Sequence, residues 1–187
     1  MNRAIAAMFL TLAASAAVAS PSQNDRGAPS EKDSGGSTAV RWDDIVGVVT
    51  AQGVSNPVST KIDSGTFAWT TASGRARVDM ATGFASFEVD GLVINGTPFS
   101  GTAGPVTQVT GTLVCNAGDD DEVAVDSASV PLSSRGDAKF ADQLEQPIPG
   151  HCSNPLFLVR IAVPTGAAGR WIATGVQRKI GGAVVQN

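Results

Sequence analysis

Tyrosine is absent from this 187-residue chain, histidine occurs once, at His151, and cysteine twice, at Cys115 and Cys152. Without tyrosine no phenol can act as acid or base, and with a single imidazole no metal centre can draw on two histidines. His151 and the two cysteines would supply three zinc ligands at best, and only as free thiols. No G-x-S-x-G elbow is present to expose a serine nucleophile. The 13 lysines and arginines are outnumbered by 17 carboxylates and lie scattered; the sole dense pair is Arg178-Lys179, and no basic face is apparent. Phosphate contacts dominate nucleic-acid affinity, so nucleic acid is not expected as a partner. Past the N-terminal stretch no apolar run approaches the roughly 20 residues of a membrane span. The longest candidate, from Leu156, is broken at Arg160. The mature chain is therefore expected not to insert in a membrane.

What is present begins with MNRAIAAMFLTLAASAAVAS, in which Arg3 precedes an apolar stretch from Ala4 to Ala16 and the small residues Ala17 and Ala19. This order of charge, apolar run and A-x-A site predicts a secretory signal over residues 1–19, cleaved before Ser20, and hence a secreted or periplasmic protein. Residues 20–38, rich in Ser, Gly, Pro and charge, hold too little apolar surface to offset the entropy of folding, and are expected to form a flexible lead. A single domain is expected over residues 39–187.

Within that domain short segments of Val, Ile, Phe and Trp alternate with Gly, Ser, Thr and Pro, and no stretch keeps a 3.6-residue apolar rhythm. In GRARVDM, residues 74–80, Ala76, Val78 and Met80 share one face and Arg75, Arg77 and Asp79 the other, the pattern of a half-buried strand. SGTFAWTT before it and FASFEVDGLVI after it complete an expected three-strand meander, with a bend at Gly91. Further strands are expected in residues 106–115, 155–164 and 169–180, and a weaker one in 122–132. Residues 136–145 fit a strand or a short helix. The absence of crossover helices points to an all-β fold, a two-layer antiparallel β-sandwich or, as the alternative, a closed or partly open β-barrel. The run GRARVDMATGFASFEVDGL resembles in texture the secreted β-domains of chordin-like repeats. That resemblance implies a secreted β domain; the histidine of the family's pattern has no counterpart at a matching place, and no residue role is carried over.

Two cysteines in an exported chain pair by default, so a Cys115–Cys152 disulfide is expected, tying neighbouring strand ends or two sheets. It removes the thiolates that would have made the adjacent His151 suggestive. Asp119, Asp120, Asp121 and Glu122 could gather oxygens around calcium, which takes about six to eight, though a solvated acidic turn explains them as well. Trp42, Trp69 and Trp171 fit core positions; Trp42, followed by Asp43 and Asp44, is the exception that could touch a ligand. Asp79 and Glu88 could form a carboxylate pair for glycan hydrolysis if they converge in a cleft with raised proton affinity. Residues 96–105, GTPFSGTAGP, could present Phe99 as an apolar anchor to a partner. Arg135-Gly136-Asp137 spells an adhesion tripeptide that is also an ordinary turn, and Asn95-Gly96-Thr97 is a glycosylation acceptor by pattern. The expected function is a non-catalytic binding or structural domain for a protein or carbohydrate ligand, with no cofactor. The alternatives are a carboxylate-dependent hydrolase acting on glycans and a secreted inhibitor or toxin-like partner protein.

Overall fold

The computed structural model describes residues 38–165 and 167–177. The expected signal peptide and all but the last residue of the lead lie outside them, as do Arg178 and Lys179. The described residues form an all-β, antiparallel structure of three sheets. Strands β1 (Ala39–Trp42), β4 (Ser73–Asp79), β5 (Phe84–Asp90) and β10 (Ala138–Gln143) make one sheet in the order β1-β4-β5-β10. The second runs β2 (Asp44–Gly47), β12 (Ala168–Val176), β11 (Leu156–Ala162), β7 (Gln108–Cys115), β8 (Val123–Asp126), with β9 (Val130–Pro131) also on β7. A two-stranded ribbon joins β3 (Trp69–Thr70) to β6 (Val93–Ile94).

The six-stranded sheet is curled as an open half-barrel, which fits the barrel alternative better than a closed sandwich. Register shifts around Arg160, where β11 meets β12, add the local twist that such curling needs. At one edge the first strand changes sheets: β1 ends at Trp42 beside β4, the chain bends at exposed Asp43, and β2 continues beside β12. At the other edge, past β10, the Glu145 N–H donates to the Asp126 carbonyl of β8 at 2.8 Å.

The core lies between the inner faces. Phe87 of the first sheet and Phe157 of the second meet with ring centroids 5.6 Å apart, Trp42 tilts against Phe157 at 5.5 Å, and Phe140 stacks on Phe87 at 5.8 Å. Alternation in β4 and β5 works as the sequence predicts: Ala76, Val78, Phe87 and Val89 are buried, while Arg75, Arg77 and Asp90 face water. Residues 136–145 resolve as the strand β10, its Ala138 and Phe140 inside.

One expectation changes. The β4–β5 hairpin of the expected meander forms, but its first strand does not join it: Trp69 pairs with Ile94 in the ribbon and β1 takes the place beside β4. β7 is buried on both faces. Its outer side is covered by the strandless segment between β2 and β3, which is bonded to β12 through Trp171 Nε1 to the Asn56 carbonyl at 3.1 Å and to the β7–β8 turn through Ser59 Oγ to Glu122 at 2.9 Å. Those two anchors lie on β12 and on the turn leaving β7, on either side of β11 in the sheet order.

Candidate functional site

Where β3, β6 and the ends of β11 and β12 come together, the surface opens into an apolar groove of about 440 Å³. Its floor carries Trp69 and Ile94, both buried, and its walls include Phe67, Pro98, Phe99 and Pro105. Phe99 is 54% exposed and Phe67 37%, large rings left in water beside a concave apolar surface.

Phe99 is held there by the loop's own hydrogen bonds. Its N–H donates to Thr97 Oγ1 at 3.0 Å, its carbonyl accepts from Thr102 Oγ1 at 2.8 Å, and Ser100 Oγ donates to the Thr97 carbonyl at 2.7 Å. The Gly101 N–H donates to the Ile94 carbonyl at 3.0 Å, and the Ile94 N–H to the Thr102 carbonyl at 2.9 Å, so the loop is tied to the ribbon. Gly104 takes φ +57, and a Cβ there would lie 2.9 Å from Ile94 Cδ1 and 3.3 Å from Phe99 Cβ. Glycine thus lets the loop close beneath the ring. The loop holds the exposed Phe99 through its own bonds; Phe67, Pro105 and the floor reach it from segments that no local pattern connects. Asn95 borders the groove, with Nδ2 donating to Thr70 Oγ1 at 3.1 Å.

Trp42, the tryptophan that could touch a ligand, lies in the core. It is 1% exposed and packed on Phe157, because the bend at Asp43 turns the strand inward from the domain edge. Among the described residues no group of three or more His, Cys, Asp or Glu is placed to hold a metal ion. Glu122 accepts from Ser59 and from the Gly118 N–H, and Asp121 from Asn116 Nδ2, so two of the four acids serve as turn acceptors.

The carboxylate pair does not converge. Glu88 lies opposite Arg75 and bonds its Nη2 at 2.8 Å. Asp79 sits at the far end of the same hairpin, four positions from Arg75 and so roughly 13 Å along the strand. That exceeds the roughly 5–9.5 Å between the two acids of glycosidases. The Thr82 and Ala81 amides donate to Asp79 Oδ1, at 3.1 and 3.0 Å, and hold its pKa below the ordinary 3.8, opposite to what a general acid needs.

Cys115 and Cys152 are bonded to each other, with Cα atoms 4.7 Å apart. The bridge links neighbouring strand ends, since Val114 pairs with Leu156. His151 is exposed, and its Nε2 meets Ser153 Oγ at 2.9 Å. Arg135-Gly136-Asp137 is a structural turn. Gly136 is buried at φ +86, a Cβ there would lie 2.3 Å from the Leu92 carbonyl oxygen, and Asp137 Oδ1 accepts from the Gly91 N–H at 3.2 Å.

No helix among the described residues is long and apolar enough to cross a membrane. The chain matches no protein-family model, no curated protein and no solved structure.

Proposed function

We propose that the chain is an exported, non-catalytic partner-binding protein of the inhibitor or toxin-like kind, and that the loop 96–105 with its groove takes an apolar side chain of a protein partner. The observation that carries this reading is Phe99, 54% exposed yet fixed by backbone bonds over an apolar hollow. An ordered aromatic loses little side-chain entropy on binding, and exposed aromatics beside dry hollows are where interface energy concentrates. Export is supported by the N-terminal sequence and by the Cys115–Cys152 bridge, which needs an oxidising compartment. The separation of Asp79 and Glu88 and the use of Asp79 as a turn acceptor count against the glycan hydrolase.

Panning a random displayed-peptide library on the purified protein tests the site. Peptides with an aromatic, Leu or Met anchor should enrich, and Phe99→Ala should weaken the selected peptides by about 2 kcal/mol, roughly 30-fold in Kd. Thermal stability should stay unchanged, because the ring is mostly in water. Selected peptides indifferent to both Phe99→Ala and Phe67→Ala would defeat the proposal.

A further inference from the structure

The outer face of the β1-β4-β5-β10 sheet collects cations that are dispersed along the chain. The register sets Arg41 directly opposite Arg77, Arg77 opposite Ser86, Arg75 opposite Glu88, and Lys139 opposite Glu88 from the other side. With strands about 4.8 Å apart and same-face positions about 7 Å apart, these residues occupy two adjacent rows within a patch of roughly 14 by 7 Å. A shallow hollow of about 380 Å³ lies over them. The sequence shows no basic face because Arg41 and Lys139 belong to strands remote from Arg75 and Arg77.

Glu88 pairs with Arg75, while Arg41, Arg77 and Lys139 make no ion pair among the described residues. Like charges directly opposite each other on neighbouring strands destabilise a sheet. Within the hollow Arg41, Arg75, Arg77 and Lys139 outnumber the carboxylates Asp43 and Glu88, so the patch keeps a net positive charge in a chain of net charge −4. An anion supplied from outside would relieve that repulsion.

The centre of the patch narrows the kind of anion. Glu88 and Ser86 sit among the cations as acceptors, and a carboxylate there opposes a ligand of closely spaced phosphates but accepts hydrogen bonds from hydroxyls. The aromatic residues lining the hollow, Trp42, Phe87 and Phe140, are buried, so no exposed ring is offered for base stacking. We propose that this face binds an acidic polysaccharide, a sugar chain whose carboxylate or sulfate groups meet Arg41, Arg77 and Lys139 while its hydroxyls meet Glu88 and Ser86. This site is independent of the Phe99 groove and shares no lining residue with it.

Calorimetric titration of the purified protein at low salt with heparin, polygalacturonate, neutral dextran and a single-stranded oligodeoxynucleotide tests the site. At least one of the two acidic polysaccharides should bind about tenfold or more tighter than the oligonucleotide, and dextran should not bind. The double variant R41A/R77A should lose about tenfold or more in affinity and flatten the dependence of log K on log salt by about 1.5 to 2, as expected when two counterion-releasing contacts are removed. The charge-matched control K61A/R135A should keep both. R41A/R77A should fold at least as stably as the parent, since it removes a repulsion, and circular dichroism melting checks this. E88Q should narrow the preference for polysaccharide over oligonucleotide. Equal losses in the two double variants, equal or tighter binding of the oligonucleotide, or no binding of either acidic polysaccharide would overturn the proposal.

Discussion

Gly111 shows at the scale of a single residue how the core is closed. A Cβ at this position would lie 2.7 Å from the Phe87 ring and 2.9 Å from the Phe157 ring, the two aromatics that join the sheets. Gly111→Ala should therefore cost about 2 kcal/mol through overpacking, measured as a lower urea midpoint with unchanged slope. A glycine inside a strand signals close approach, so its importance was legible in VTQVTGTLVC, but the rings it admits were not. Asp79 and Asp137 give a second prediction. The Thr82 amide chiefly lowers the pKa of Asp79, and the Gly91 amide that of Asp137, each below the ordinary 3.8. A carboxyl whose folded-state pKa is depressed stabilises fully above its unfolded value, and that contribution is lost as pH falls through the folded pKa. Stability should accordingly drop below about pH 4, and D79N/D137N should have a flatter acid limb in melts recorded across that range. Both acids were visible in the sequence as surface residues; their turn roles depend on where Thr38, Gly91 and Ser133 end up.

At the scale of elements, the Cys115–Cys152 bridge closes a loop with sequence separation 37 between the ends of adjacent strands. Loop-closure entropy assigns such a bridge about 4 kcal/mol, so reduction should lower the unfolding free energy by an amount of that order in denaturant titrations with and without reductant. The partners were legible because the chain has only two cysteines, whereas the choice between neighbouring strands and opposite sheets required the β7–β11 pairing. The segment laid over β7 makes another prediction. Trp171→Phe trims the buried indole to a phenyl and deletes the bond from Nε1 to the Asn56 carbonyl, and should cost about 2 to 3 kcal/mol while opening the segment to limited proteolysis. No sequence period marks this covering segment, since it lacks strands and is held by scattered polar contacts.

At the scale of the described domain, the groove around Phe99 and the cationic face have no lining residue in common. Phe99→Ala and R41A/R77A should therefore combine additively in stability, within about 0.5 kcal/mol, when the triple variant is unfolded beside its parents. The alternation of apolar and polar residues by itself determined the all-β class and the inward faces of β4 and β5, because a pleated strand alternates its side chains whatever it pairs with. The two-cysteine composition determined the disulfide partners. Only the tertiary structure decided that Trp42 turns into the core, that Asp79 and Glu88 stay apart, that four cations meet on one face, and that Phe67 and Pro105 flank Phe99. Each of these depends on which distant strands become neighbours and in what register. That is set by burial summed over the whole core rather than by any local run of residues.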